Sequence, residues 1–212
     1  TCTPIQSKSL PITLGKKDLA GQAQTGTGKT AAFLITLLTR LLEKDPPPAT
    51  KEKAGPRALI IAPTRELARQ IEKDALLLGK HCNFRTVCVI GGVDYDKQRN
   101  QIKAGVDILI ATPGRLIDFY KQKFFSLKSV EVLVVDEADR MFDMGFIADL
   151  RYLFRSCSPY NKRQSMLFSA TLNYRVMELC YEHMNNPVKV AIEPEKTVVD
   201  QVTQILYHVG QH

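Results

Sequence analysis

The chain has 212 residues, of which 44% are hydrophobic and 24% are charged. This length accommodates one domain with a substantial core, and the composition excludes a disordered or fibrous protein. The apolar runs are much shorter than the roughly 18 residues that a membrane-spanning helix requires. Lysine and arginine number 29 against 22 aspartates and glutamates, and the resulting net charge of +7 suits a polyanionic partner without requiring one.

The five cysteines are dispersed, without a Cys-x-x-Cys pair or a Cys/His cluster. An odd number of dispersed cysteines in a chain of this length is typical of free thiols in a reducing compartment. No signal or transit pattern is visible at the start of the chain. We therefore expect mostly buried free cysteines, no zinc site, no membrane association and a cytoplasmic location.

Short β-type segments alternate with amphipathic helical segments along the chain. Several of the β-type segments are apolar at consecutive positions, which is typical of strands covered by helices on both faces. The alternation predicts a doubly wound α/β domain with a mainly parallel sheet, in which ligands bind beyond the carboxyl ends of the strands. The predicted strands are Asp18–Ala23, Arg57–Pro63, Thr86–Gly91, Asp107–Thr112, Glu131–Asp136, Ser165–Ser169 and Val188–Ile192. Helices are predicted at Ala31–Lys44, Thr64–Lys80 (with an apolar stripe of Leu67, Ile71, Ala75 and Leu78), Leu116–Lys121 and Asn173–Met184.

Two segments depart from this alternation. Residues 43–56 contain three consecutive prolines among mixed charges, and we predict an exposed, mobile connection there rather than a functional insert. Residues 198–209 alternate loosely after a segment rich in proline and glutamate. They are compatible either with an edge strand of this domain or with the first strand of another domain.

A glycine-containing segment, Ala23–Thr30, follows the first predicted strand and opens a helix, as a phosphate-binding P-loop does. Gly26 and Gly28 allow successive N–H groups to turn toward one anion, and the helix N-terminus adds partial positive charge. Lys29 is predicted to reach the β- and γ-phosphates of ATP, and the Thr30 hydroxyl to coordinate Mg²⁺. Ala23 occupies a usual glycine position, which is compatible with a negative φ. The predicted nucleotide-binding residues of this loop are Gln24, Thr25, Gly26, Thr27, Gly28, Lys29 and Thr30.

Two adjacent acids, Asp136 and Glu137, follow the apolar strand that ends at Val135. Alone, such acids are often solvated caps of the next helix. With a P-loop earlier in the chain, they are expected to form the second half of an ATP·Mg²⁺ site. Asp136 would engage Mg²⁺ through water, and Glu137 would orient or deprotonate the attacking water. Lys29, Asp136 and Glu137 are therefore the predicted catalytic residues.

Together, these features resemble the first RecA-like domain of the DEAD-box RNA helicases, over essentially the whole chain. The resemblance rests on six segments in the family's order besides the P-loop: TPIQ at Thr3–Gln6, PTRELA at Pro63–Ala68, GG at Gly91-Gly92, TPGR at Thr112–Arg115, DEAD at Asp136–Asp139 and SAT at Ser169–Thr171. The stretches CTPIQ, AGQAQTGTGKT and DEADRMFDMGF are most similar to the bacterial RhlB-type members.

The resemblance implies roles for residues outside the P-loop. Gln6 would recognise adenine, and contacts to 2′-hydroxyls would favour RNA over DNA. Asp139, Ser169 and Thr171 would couple the ATP site to RNA unwinding. The residues expected to hold the backbone of single-stranded RNA are Thr64, Arg65, Gly92, Thr112 and Arg115. In isolation, PTRELA, TPGR and SAT also suit ordinary helix starts and turns.

The resemblance further implies that residues 1–195 form the ATP-binding domain and that residues 196–212 are a linker and the first strand of a second RecA-like domain. We expect the chain to be a piece of a longer protein, because the family has an adenine-stacking aromatic residue before Gln6 and catalytic arginines in the second domain. Single-stranded or duplex RNA, this second domain in cis, and ribonucleoprotein or RNA-decay proteins are the expected partners. Two alternatives remain open: a DNA helicase or translocase, and a nucleotide-dependent RNA clamp or scaffold.

Overall fold

The computed structural model describes residues 1–44 and 55–192 of the chain. The described residues form alternating strands and helices, joined by a 3-10 turn at Tyr160–Lys162. The strands are β1 (Leu19–Gln22), β2 (Ala58–Ile61), β3 (Thr86–Val89), β4 (Ile108–Ala111), β5 (Val132–Val135), β6 (Gln164–Ser169) and β7 (Val188–Ala191). The helices are α1 (Pro4–Leu14), α2 (Lys29–Leu42), α3 (Arg65–Leu78), α4 (Tyr95–Lys103), α5 (Pro113–Lys121), α6 (Ala138–Asp143), α7 (Ile147–Ser156) and α8 (Tyr174–His183).

The seven strands form one sheet with the order β3-β4-β2-β5-β6-β1-β7. Every pairing between neighbours is parallel, with Leu19 of β1 beside Met166 of β6 and Ala58 of β2 beside Val132 of β5. All carboxyl ends therefore meet at one edge of the sheet, which we call the carboxyl edge. The predicted α/β fold is confirmed, and each predicted strand matches an observed one to within about two residues at either end, the usual uncertainty of such boundaries.

Two hydrophobic cores cover the two faces of the sheet. In β2, Leu59 and Ile61 enter one core, whereas Ala58 and Ile60 enter the other. All four residues of this strand are buried, because side chains of a strand alternate between faces and helices cover both faces here. This arrangement explains the consecutive apolar positions in the sequence.

The structure corrects two details of the sequence-based interpretation. In α3, Ile71 and Ala75 are buried as predicted, but Leu78 is 44% exposed. All five cysteines are free, yet only Cys157 and Cys180 are buried, so the thiols are less buried than expected. Burial raises the pKa of the Cys180 thiol to about 12.

Several predictions concern residues outside the described ranges. The connection predicted at 43–56 lies mostly outside them, and the segment 196–212 lies outside them entirely. The domain boundary at residue 195 therefore stays a prediction. Within residues 1–44 and 55–192, no helix combines the length and apolarity needed to cross a bilayer.

Candidate functional site

The P-loop connects β1 to α2 at the carboxyl edge. Gly26 and Gly28 have φ values of 83° and 87°, in the left-handed region that glycine adopts without strain. Gly28 is also the N-cap of α2, and a Cβ placed there would lie 2.6 Å from Nε2 of Gln6. Ala23 keeps a φ outside the left-handed region, as the sequence required. The loop therefore has the backbone of a phosphate cradle ahead of a helix N-terminus.

Lys29 and Asp136 form a buried ion pair at the centre of the site. Nζ of Lys29 lies 3.2 Å from Oδ1 of Asp136, and their side chains are 5% and 0% exposed. Burial raises the pKa of the Asp136 carboxyl, and the nearby Lys29 ammonium partly offsets this effect. Oδ2 of Asp136 is buried without a hydrogen-bond partner among the described residues. A buried, unpaired carboxylate oxygen is costly to the fold and is expected where a ligand completes the site.

Glu137 is held in a left-handed backbone conformation, with φ 53° and ψ 51°. This conformation is uncommon for a residue with a side chain and is typical of functional sites. One carboxylate oxygen of Glu137 accepts a hydrogen bond from the Thr25 hydroxyl at 3.2 Å, and the other accepts one from Arg140 Nη1 at 3.2 Å. The Glu137 carboxylate is thus fixed between the P-loop and α6.

A cleft of about 350 Å³ adjoins these groups. Gln24 and Thr27 do not line it but shape the loop beside it, because the Thr27 hydroxyl donates to the Gln24 carbonyl at 2.7 Å. Gln6 lies against the loop, since its Nε2 donates to the Gly28 carbonyl at 3.0 Å. The residues that line the cleft are Thr25, Gly26, Gly28, Lys29, Thr30, Ala31, Leu67, Gln70, Asp74, Leu77, Leu78, Asp136 and Glu137.

Asp139, Ser169 and Thr171 meet at the end of β6, which lies between β1 and β5 in the sheet. The Ser169 hydroxyl accepts a hydrogen bond from the backbone N–H of Asp139 at 3.2 Å. Oδ2 of Asp139 in turn accepts the backbone N–H of Thr171 at 3.2 Å. The three predicted coupling residues therefore connect the loop after β5 to the loop after β6.

A second cleft, of about 460 Å³, opens at the same edge beyond β2, β3 and β4. All five predicted RNA-binding residues line this cleft, which we call the second cleft. Its lining consists of Pro63, Thr64, Arg65, Glu66, Gly91, Gly92, Thr112, Gly114, Arg115, Met144 and Phe146.

Two helices begin at the second cleft. Thr64 is the N-cap of α3, and its hydroxyl accepts the backbone N–H of Leu67 at 3.3 Å. Thr112 is the N-cap of α5, and its side chain makes no capping hydrogen bond. The partial positive charge of both helix N-termini is therefore directed at this cleft.

Two arginines supply the formal positive charge of the second cleft. Nη1 of Arg65 donates to the Gly91 carbonyl at 3.4 Å, and Nη1 of Arg115 donates to the Val93 carbonyl at 3.4 Å. A guanidinium has more N–H donors than either bond uses. Cζ of Arg115 also lies 5.1 Å from the centroid of the Tyr95 ring, which orients the side chain. Gly92 has a φ of 71°, and a Cβ there would overlap the Arg65 guanidinium.

Some residues that line the two clefts, or that contact a lining residue, were missed by the sequence interpretation. Arg140 is spaced three residues from Glu137 on α6, and this i,i+3 spacing could have revealed it. Gln70 and Asp74 share a face of α3 with Leu67, so helical periodicity could have grouped them, although not placed them against the P-loop. For Met144 the sequence offers no comparable signal, because an isolated methionine usually belongs to the core.

Comparison with known proteins identifies the family of the chain. The family model described as DEAD/DEAH box helicase matches residues 3–179. The chain belongs to the DEAD/DEAH box helicase family. The resemblance to DEAD-box helicases deduced from the motifs is thereby confirmed.

Relatives and a solved structure extend this family assignment. The chain is 55% identical over 207 residues to "ATP-dependent RNA helicase RhlB" of Idiomarina loihiensis, covering 98% of this chain and 48% of the relative. It is 56% identical over 207 residues to the RhlB helicase of Xanthomonas oryzae pv. oryzae, covering 97% of this chain and 36% of that one. The predicted similarity to RhlB-type members is therefore confirmed. This family member spans about half or less of the length of these relatives.

A crystal structure of a hypothetical ATP-dependent RNA helicase from Sulfolobus tokodaii matches the fold with a TM-score of 0.79 at 33% identity. The match covers 91% of this chain and 53% of that one. The RecA-like helicase fold predicted from the sequence is therefore confirmed for this DEAD-box chain.

Proposed function

We propose that this chain is the nucleotide- and RNA-binding first domain of an ATP-dependent RNA helicase. The observation that carries the proposal is the buried Lys29–Asp136 pair behind the P-loop, with a carboxylate oxygen of Asp136 unpaired. The second cleft, lined by arginines, hydroxyls and glycines at the same edge of the sheet, supports the RNA-binding part.

The chemistry of the site fits Mg²⁺ as the cofactor bound with ATP. Oδ2 of Asp136 is an oxygen ligand without a partner among the described residues, and Thr30, which carries a hydroxyl, lines the same cleft. Oxygen ligands of this kind are what Mg²⁺ prefers, usually with several waters and substrate phosphates completing the shell. When bound, Mg²⁺ would neutralise charge on the β- and γ-phosphates. Thr30 and Asp136 are its proposed ligands, Asp136 through water.

The residues of the chain itself would bind the phosphates and the adenine and would transfer a proton. The N–H groups of the P-loop bind the phosphates, and the Lys29 ammonium contributes charge at the transferred γ-phosphoryl group. In hydrolysis, the oxygen of a water attacks the γ-phosphorus, and the bond to the β,γ-bridging oxygen breaks. The Glu137 carboxylate accepts a proton of that water as the general base. Gln6, fixed against Gly28, is the proposed adenine contact.

RNA would bind in the second cleft through its backbone. Arg65 and Arg115 supply charged donors, and the N-termini of α3 and α5 supply backbone N–H groups for phosphates. The hydroxyls of Thr64 and Thr112 and the backbone at Gly92 complete the set. Contacts of this kind hold a strand without reading its bases, which suits an enzyme acting on many sequences.

The second half of the enzyme would complete hydrolysis. In the part of the chain that the structure describes, no arginine lines the cleft of about 350 Å³ beside the P-loop, which we call the nucleotide cleft. Arginine fingers are typically worth about 10³–10⁵ in rate. We therefore propose that a second RecA-like domain closes on this one, and that closure couples hydrolysis to strand separation. We further propose a cytoplasmic location and ribonucleoprotein or RNA-decay partners for the whole protein.

ATPase assays on this chain and on the longer protein containing the second domain test the proposal. Each is assayed with no nucleic acid, with RNA, and with DNA of the same sequence. We expect weak activity from this chain and RNA-stimulated activity from the longer protein. Stimulation by DNA equal to that by RNA would favour a DNA translocase, and full RNA-stimulated activity of this chain alone would contradict the need for the second domain.

A further inference from the structure

Met144 is an unusual feature of the second cleft. The side chain is 48% exposed, whereas Met141, Met166 and Met184 are buried and Met177 is partly buried. It is flanked in this cleft by groups that suit phosphate, namely the two arginines and the helix N-termini. A polarisable thioether adds nothing to a phosphate contact. We therefore expect Met144 to contact a part of the ligand other than its phosphates.

The position of Met144 is fixed by the end of α6. Gly145, with φ 82°, donates its backbone N–H to the Phe142 carbonyl at 3.0 Å, and Phe146 donates to the Met141 carbonyl at 2.9 Å. This pair of bonds is a Schellman motif, in which the left-handed glycine ends the helix. Phe146 turns inward and packs on the core, as the hydrophobic contact of that motif usually does. Met144, at the C-cap, is thereby left at the cleft, which it lines.

We propose that Met144 is a contact for an unpaired nucleobase in the second cleft. This inference rests on the proposed RNA-binding function. A methionine sulfur interacts favourably with aromatic rings, and nucleobases have the same exposed π-faces when they are not stacked in a duplex. Such a contact does not read sequence, because every base has a π-face, but it distinguishes an unstacked strand from a base-paired one.

The same helix connects this contact to the nucleotide site. α6 has six residues and begins immediately after Glu137, so about 9 Å of rigid helix separates the general base from Met144. A base that contacts Met144 would therefore contact α6, and the first turn of this helix contains Asp139 and Arg140. These two residues contact Thr171 and Glu137, respectively.

The test compares a base-bearing ligand with a base-free one. Fluorescence anisotropy of this chain at low salt would measure binding of a labelled single-stranded oligoadenylate and of an abasic ribose-phosphate oligomer of the same length. Met144→Ala is expected to weaken oligoadenylate binding by roughly 2- to 10-fold and to leave abasic binding unchanged. Met144→Phe is expected to keep or tighten oligoadenylate binding, because an aromatic ring stacks on a base.

Two control variants separate the inference from the function on which it rests. Leu42→Ala removes another exposed apolar side chain, at the far end of α2, and is expected to change neither affinity. Arg115→Ala is expected to weaken the binding of both oligomers, since it removes a proposed phosphate contact. If Met144→Ala weakened the binding of both oligomers equally, or of neither, the nucleobase contact would be overturned. The RNA-binding proposal would still stand. Failure of the unmodified chain to bind either oligomer would overturn the RNA-binding proposal and this inference with it.

Discussion

The two clefts lie at the same edge of one sheet, yet their charged side chains differ in burial and in how firmly they are bonded. In the nucleotide cleft, Lys29 and Asp136 are almost fully buried and form an ion pair with each other. In the second cleft, Arg65 lies at the surface and makes a single long hydrogen bond to the Gly91 carbonyl. A compact, highly charged triphosphate is best held by preorganised buried groups, whereas a repeating backbone is held by many weaker, adjustable contacts.

The order of the strands explains this division. β1, β5 and β6 are neighbours or next-neighbours and end in the P-loop, the DEAD acids and the SAT segment. β2, β4 and β3 form the other half of the sheet and end in the PTRELA, TPGR and GG segments. Because β2 pairs with β5, the two halves meet directly. Variants in each half should therefore weaken the binding or reaction of one ligand and leave the other ligand unaffected.

Glu137→Gln should have the largest effect, and that effect should be on the rate of ATP hydrolysis alone. In the longer protein with its second domain, RNA-stimulated hydrolysis should fall by about 10²–10⁴, because the general base is lost while its shape is kept. Nucleotide and RNA affinities should remain unchanged. Phosphate release measures the rate, and Glu178→Gln on the exposed face of α8 is the matched control. Retained hydrolysis would remove Glu137 from the mechanism, whereas absence of hydrolysis by the unmodified longer protein would favour the nucleotide-dependent clamp.

Lys29→Met should chiefly reduce nucleotide binding. Charge-assisted hydrogen bonds are worth about 1.5–3 kcal/mol, which corresponds to a loss of roughly 10- to 100-fold in affinity. The variant also leaves Asp136 buried without its cation, so the free energy of unfolding should fall. Titration with a fluorescent nucleotide and chemical denaturation measure the two effects.

The control for that variant is Lys189→Met, at an exposed position on the edge strand β7. It should change neither quantity. If Lys29→Met weakened the binding of RNA and of nucleotide equally, the two halves of the sheet would not be separate binding regions.

Arg115→Ala should act on the other half of the sheet. RNA affinity should fall by about 10-fold, and the slope of log affinity against log salt should become shallower by roughly one, because one phosphate contact is lost. Nucleotide affinity should not change. Salt-dependent anisotropy measures the slope, with Arg155→Ala, which is exposed on α7, as the control. An unchanged slope would mean that Arg115 packs on Tyr95 without binding phosphate.

Arg140→Ala should have the smallest effect of the four. The Arg140–Glu137 pair is partly exposed and is worth no more than about 1 kcal/mol, so hydrolysis in the longer protein should fall by no more than roughly 5-fold. Nucleotide affinity should stay the same, and Arg140→Lys should recover part of the rate. A loss as large as that of Glu137→Gln would instead show that Arg140 contacts the reacting groups.

Much of this architecture could be predicted from the sequence. The strands were visible because β2, β4 and β5 are apolar at every position, a pattern that is typical of a sheet covered on both faces. The glycines and the DEAD acids were visible because their chemistry depends on residue type at fixed spacing. The strand order was not predictable in this way, because it follows from packing between elements distant in the chain.

Other features depend on tertiary geometry and were therefore missed. Asp74 and Leu78 line the nucleotide cleft because α3 packs beside α2, and Leu78 is 44% exposed there. The left-handed backbone of Glu137 and the exposure of Met144 depend on where α6 begins and ends. Gly145 is a local signal for the end of α6, but no local pattern in the sequence encodes the left-handed Glu137 or the exposure of Met144.

A chemical-shift map of this chain, recorded with ADP·Mg²⁺ and separately with a single-stranded oligoribonucleotide, tests the central claim most directly. The nucleotide should shift amides of Gly26, Lys29, Thr30 and Glu137, and the RNA should shift those of Arg65, Gly92 and Arg115. The account predicts two separate sets, with both ligands bound at once. Shifts of one common set, or displacement of the nucleotide by RNA, would contradict it.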